Sequence, residues 1–127
     1  ITLKDSKKIR SWLSGVSIAE RKQVGQLNYI FCDDNFLHKL NLKFLNHDTY
    51  TDIITFDNTF GDLLSGDIYI SVERVKENAL NFGVSFREEL SRVIVHGLLH
   101  LCGYTDKSEQ SQVQMRKKEN EHLYTLC

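Results

Sequence analysis

Two histidines four residues apart on an apolar run, followed at once by a glycine and an aspartate, restrict this chain more than any other feature. The stretch SFREELSRVIVHGLLHLCGYTD, Ser85 to Asp106, carries His96, His100, Gly103 and Asp106 in that order. Residues at i and i+4 share a helix face one turn apart, so both imidazoles point the same way. Ser85, with Glu88 three residues on, reads as a capping box that opens the helix. Leu90, Val93, Ile94, Gly97, Leu98 and Leu101 supply its core-facing positions. Gly103 can take the left-handed conformation that closes a helix, and the reversal after it would bring Asp106 back towards the histidines. On an apolar helix every ring nitrogen must find a partner. Two core histidines bonded to carbonyls or buried water would meet that demand, and so would a shared metal ion. The helix-ending glycine and the spaced aspartate favour the metal, because three ligands with one position open make a catalytic zinc site.

Size and charge narrow the rest. With 127 residues the chain reads as one domain over 1–127, large enough to bury a core without disulfides. A hydrophobic fraction of 41% and a charged fraction of 26% are those of an ordinary globular protein. The net charge of −1 gives no global field for nucleic acid, so any such contact rests on local patches. Those patches are Lys4, Lys7, Lys8 and Arg10, then Arg21 and Lys22, then Arg116, Lys117 and Lys118. Each has the ordinary meaning of a solvated face. Cys32, Cys102 and Cys127 form no CxxC pair, so reduced thiols in a cytoplasmic protein are expected. No signal peptide stands out, and no apolar run approaches the roughly 18 residues of a membrane span. The chain opens on Ile rather than Met, as a trimmed N-terminus would, and has no proline, linker or repeat.

Along the chain, Ile9, Trp12 and Leu13 predict a helix over 7–14, with Ser6 as its cap and Gly15 as its end. Residues 18–24 read as a short helical turn or a connector. Leu27, Tyr29 and Phe31 alternate on a strand over 26–32. Asp33 or Asp34 caps a helix whose buried stripe is Phe36, Leu37, Leu40 and Phe44. TDIITF predicts a strand, DNTFGDLLSGD a turn-rich segment, and IYIS a further short strand. Ser71 starts a helix with Val72, Val75, Ala79, Leu80 and Phe82, ended near Gly83. Ser108 opens a last helix to about Leu126, with Val113, Met115 and Leu123 as its apolar positions. The expected architecture is α/β with α+β character: a small mixed β-sheet covered by helices, one of them the histidine helix.

HGLLHLCGY, His96 to Tyr104, closely resembles the HGxLHLxGY signature of the YbeY family, bacterial metal-dependent endoribonucleases implicated in ribosomal RNA processing. LNLKFLNHDTYTDIITF, Leu40 to Phe56, is similar to that family's LNxxFRxxDxxTDVLSF segment, and GDIYIS, Gly66 to Ser71, to its GDIxIS strand. Three segments in the right order cover most of the chain. The resemblance implies an α/β fold with a mixed sheet, a zinc-like metal and RNA, ribosomal RNA above all, as substrate or partner. Two positions depart from it. Where the family usually carries a third histidine, this chain has Asp106. Two histidines and a carboxylate remain an accepted zinc set, and also match an open iron(II) triad, so another divalent transition metal is compatible. Where the family usually has an arginine suited to gripping phosphate, this chain has Leu45. Arg92, four residues before His96, shares the ligand face and is the substitute candidate for substrate binding.

The HxxxHxxGxxD spacing also resembles the zincin-type metalloproteases, whose HExxH helix carries a general base; here that position is Gly97, which counts against peptide hydrolysis and suits close packing. The chemistry expected is metal-assisted phosphodiester hydrolysis. Asp52 and Asp67 occupy motif-like positions as candidate bases or partners of the histidines; turn and strand-end aspartates also commonly bond nearby backbone. His38, His47 and His122 lack ligand spacing and read as incidental. Tyr104 is either a base-stacking ring or core, and Cys102 a small buried hydrophobe turned off the ligand face. Three readings follow: an endoribonuclease, a non-catalytic ribosome-associated RNA- or protein-binding factor with a structural metal, and a metallopeptidase-like hydrolase.

Overall fold

The computed structural model describes residues 3–126, with side chains from Ser6 onwards; the side chain of Lys4, and Cys127, lie outside the described residues. The elements are α1 (Leu3–Ala19), β1 (Gln23–Cys32), α2 (Asp34–Leu45), β2 (Ile53–Asp57), β3 (Leu63–Ser71), α3 (Val72–Phe82), α4 (Phe86–Leu101) and α5 (Glu109–Leu123). The sheet order is β1-β3-β2, with β1 parallel and β2 antiparallel to β3. It is the small mixed sheet covered by helices that the pattern predicts.

Alternation sets the two faces of the sheet. Leu64, Ile68 and Ile70 of β3 are buried on one face and belong to one core with Ile9, Trp12, Leu13 and Val16 of α1 and the apolar side of α4. Leu27 and Tyr29 of β1 and Ile53 of β2 pack against it. The Tyr29 hydroxyl donates to the Ile94 carbonyl at 2.7 Å, tying strand to helix. The other face, with Ile54, Phe56 and Tyr69, lies under α2. Gly97 is where α4 meets the sheet most closely: a Cβ there would lie 3.0 Å from both Ile53 Cδ1 and Ile68 Cδ1. The expectation that this glycine permits close packing is met.

Several boundaries differ from the sequence reading. Helix α1 runs through Gly15 to Ala19, so Ser6 lies inside it and Gly15 does not end it. Burial of Val16 and Ser17 extends the stripe one turn further, and tertiary packing of that kind outweighs the roughly 1 kcal/mol cost of an internal glycine. Strand β3 begins at Leu63, inside the segment read as turns, because Leu64 is fully buried. On α2 the buried positions are Leu37 and Asn41, whereas Phe36 and Phe44 are about half exposed. These two rings lean on the sheet margin instead, Phe36 tilted on Tyr69 and Phe44 edge-on to Phe56. Leu80 and Phe82 of α3, Val113 of α5 and Phe31 of β1 are likewise exposed, since each helix or strand end buries a narrower stripe than its apolar residues suggest. Cys102 is only partly buried against the core.

The caps follow expectation more closely. Asp33, Ser71, Ser85 and Ser108 each accept a backbone N–H of the first turn of the helix that follows. After α4, the Gly103 N–H donates to the His100 carbonyl at 3.0 Å and the Tyr104 N–H to the Leu99 carbonyl at 3.1 Å. This crossed pair is a Schellman closure, with Gly103 at φ 107° making the reversal.

Candidate metal centre and its cleft

Helix α4 is buried almost all round. From Glu89 to Leu101 every position is buried except Arg92, His96 and His100. These three fall at successive i+4 steps, so they form one stripe along the helix, and that stripe faces a cleft of about 1090 Å³. The opposite wall comes from α5 through Gln112, Val113, Arg116 and Glu119, with residues 51–55 at the start of β2, Asn78 and Phe82 of α3, and Leu45 completing it.

The reversal at Gly103 delivers Asp106 to the same spot. Its Oδ2 lies 3.4 Å from His96 Nε2 and 3.6 Å from His100 Nε2, while the two Nε2 atoms are 3.0 Å apart. The backbone beyond is fixed by α5, where Gln112 Nε2 donates to the Asp106 carbonyl at 3.0 Å. Donor atoms bound tetrahedrally at about 2.0–2.2 Å from one ion are separated by about 3.3–3.6 Å. Among the described residues His96, His100 and Asp106 are the group whose ligand atoms converge: both distances to Asp106 match that separation, and the two imidazole nitrogens sit slightly closer.

The chemistry of the donors fits a cation as well as their spacing does. His96 Nδ1 lies 2.7 Å from Glu119 Oε2. Burial pushes the Glu119 carboxyl towards its neutral form, but its bonds to His96 and Arg92 win and hold it below the ordinary range. An ionised carboxylate only accepts, so Nδ1 carries the proton and Nε2 keeps its lone pair for the shared point. Arg92 Nη1 donates to Glu119 Oε1 at 3.1 Å, and Arg116 lies 3.6 Å from the same oxygen. Burial lowers the affinity of His96 for a second proton, yet the bond and charge of Glu119, with Asp106 and Asp52, raise it overall. His100 goes the other way, pushed down by burial and then by His96. The pair therefore accepts one positive charge readily and a second one poorly.

Of the other candidates, Asp52 lines the cleft, and burial raises its pKa against the opposing pull of His96. Asp67 does not line it. Its neighbours Leu64, Ile68 and Ile70 show that the odd positions of β3 face α2, and Asp67 accepts from Asn28 Nδ2 at 3.0 Å on that far side of the sheet. As a base or histidine partner Asp67 is therefore corrected by the geometry. Arg92 reaches the cleft but is committed to Glu119. The Tyr104 hydroxyl donates to Glu20 at 2.7 Å, which assigns that ring to the structural side rather than the cleft. His122 is not incidental: it is buried and its Nε2 lies 2.7 Å from Glu20 Oε2. His38 pairs with Asp48 at 2.8 Å and stacks on Tyr50.

Glu119 is the residue sequence reasoning missed. It sits in a run of charged residues and reads as solvated. The available signal was the spacing of Met115, Glu119 and His122, one buried face of α5, and the rule that a ligating imidazole needs an acceptor on its other nitrogen.

Fold and site together define a small α/β protein whose open cleft holds a histidine–carboxylate group that could bind a metal ion. Residues 2–126 match the family described as Endoribonuclease YbeY. Proteins of that name are similar over most of their lengths. The one from Flavobacterium johnsoniae is 55% identical over 122 residues, 96% of this chain and 88% of the relative. That from Amoebophilus asiaticus is 48% identical, covering 98% of this chain and 84% of the relative. The solution structure of TM1509 from Thermotoga maritima superposes with a TM-score of 0.71 at 28% identity, over 97% of this chain and 81% of that one. The chain belongs to the endoribonuclease YbeY family.

Proposed function

We propose that this chain is a zinc-dependent endoribonuclease that cleaves single-stranded regions of ribosomal RNA in the cytoplasm, with His96, His100 and Asp106 as the metal ligands. The convergence of those three donor atoms at one point in an open cleft carries the reading, and the shared name of the relatives supplies the reaction class. No helix among the described residues is long and apolar enough to cross a membrane.

The chemistry such an ion supplies when bound is Lewis acidity towards a phosphoryl oxygen and a more acidic water. Residues of the chain do the rest. Glu119 holds the His96 ring by Nδ1 and at the same time fixes Arg92 beside it, so that a guanidinium edge stands next to the site where phosphate charge gathers. Asp52, in the cleft wall with its pKa raised by burial, is the candidate to take a proton from the attacking oxygen. Gly97 stands where a peptidase helix carries its base, so no carboxylate acts from that position, which counts against peptide hydrolysis by that route.

Leu45 is the observation that favours the binding-factor alternative, because the phosphate grip expected there is missing. Incubating a labelled single-stranded RNA with wild type and with His96→Ala separates the two. The nuclease reading predicts cleavage by wild type, abolished in the variant, and the chemical end left on the fragments reports whether water or the 2′-hydroxyl attacked. RNA bound by both proteins and cut by neither would leave the binding factor.

A further inference from the structure

We infer that Leu45, Phe82 and Val113 form a nucleobase subsite on the rim of the metal cleft, with Phe82 the ring on which one unpaired base stacks. The inference rests on the RNA reading above and specifies how the strand is held. Single exposed apolar side chains are ordinary on protein surfaces. These three differ because they come from three separate elements and line one cleft. Leu45 ends α2, Phe82 ends α3, Val113 lies on α5, and they are 44%, 59% and 67% exposed. Phe82 is the last residue of its helix, and Gly83, at φ 68°, turns the chain away from it. Among the described residues no aromatic ring packs on its face.

The charges of the cleft explain why such a contact is needed. Arg92 and Arg116 both lie against Glu119, and Asp52 and Glu89 line the same walls. Lys107 adds a third cation, but Asp57 and Glu109 line the cleft as well, so phosphate contact is concentrated at Arg92 and the proposed metal site, and Leu45 adds no cation at the rim. Away from that point, affinity for a strand draws on the bases, whose flat faces suit an exposed aromatic ring whatever their identity. A base locked in a duplex does not present that face, so the subsite selects unpaired RNA.

The test is equilibrium binding of the full chain to a short, fluorescent, cleavage-resistant phosphorothioate RNA. It is repeated with a strand of the same charge that lacks bases. Phe82→Ala is expected to weaken binding of the base-bearing strand about 5- to 150-fold, the range of a single base–aromatic stack. Phe82→Trp restores it. The baseless strand binds wild type and Phe82→Ala alike. On a cleavable strand Phe82→Ala raises KM and leaves kcat near its wild-type value. Equal affinity of wild type and Phe82→Ala for the base-bearing strand would overturn the subsite alone. So would an equal loss on the baseless strand, which would mean that the ring touches the backbone. Wild type that binds neither strand would remove the RNA reading itself.

Discussion

Two buried histidine–glutamate pairs lie along α5, and their difference defines the site. His96 meets Glu119 and His122 meets Glu20, each at 2.7 Å. All four side chains are largely buried, His96 the least so. In the first pair Glu119 takes Nδ1, leaving Nε2 directed at His100 and Asp106 in an open cleft. In the second, Glu20 takes Nε2 and also accepts from the Tyr104 hydroxyl, with Lys118 at 3.5 Å, while Trp12 Nε1 donates to the His122 carbonyl at 2.9 Å. One pair leaves a lone pair free for a ligand; the other spends its nitrogen on joining α1, α5 and the loop before Asp106. A buried imidazole–carboxylate bond is thus not in itself a functional signal. What surrounds the pair decides: further ligand atoms and an open cleft at one, a hydroxyl, an ammonium and an indole at the other.

The largest effect that sharpens this contrast is on stability at Glu20. Glu20 is the acceptor shared by His122 and Tyr104, so Glu20→Ala leaves two buried donors unpaired and should cost about 2–5 kcal/mol in urea denaturation. A loss below about 1 kcal/mol would mean that the cluster behaves like a surface pair. The next effect belongs to the other pair. Glu119→Gln should weaken zinc binding about 10- to 100-fold in chelator competition, since the carboxylate charge behind the ligating histidine is lost and one amide oxygen cannot accept from both His96 and Arg92. Glu20→Gln should leave zinc affinity unchanged. If the two variants weakened zinc equally, the division between a structural and a ligating pair would collapse.

The smallest effect is a pH dependence. Burial raises the pKa of Glu20, but its bonds to Tyr104 and His122 and the charge of Lys118 outweigh burial and hold it below its ordinary 4.5. A depressed carboxylate contributes stability that is fully present above its unfolded pKa and is lost as pH falls through the folded value. The stability difference between wild type and Glu20→Gln should therefore be flat near neutrality and shrink below about pH 4.5. A difference that grew on acidification would reverse the assigned sign.

The histidine helix was legible because its information is local. Helical spacing sets His96 beside His100, and Gly103 three residues on forces the reversal that delivers Asp106. The mixed sheet followed from alternation over 26–32 and from the β-favouring apolar residues of TDIITF and IYIS. The end of α1 and the start of β3 were not legible, because Val16 and Leu64 are buried by elements distant in sequence, against the local signals of Gly15 and the aspartate-rich turn. Glu119 and Glu20 escaped for the same reason. Their histidine partners lie 23 and 102 residues away, and although the spacing of Met115, Glu119 and His122 marks a buried face of α5, it does not say which distant side chain meets it. Asp67 was misplaced by its motif-like position, although strand alternation puts it on the face turned from α4.

The most direct measurement is metal content of the purified chain, wild type beside His100→Ala, Asp106→Ala and Glu20→Gln, before any chelator is added. The account predicts about one zinc per chain in wild type and in Glu20→Gln, and none in the other two. Metal retained by Asp106→Ala would show that the Gly103 reversal does not supply a ligand, and wild type that is metal-free and resists loading would contradict the site altogether.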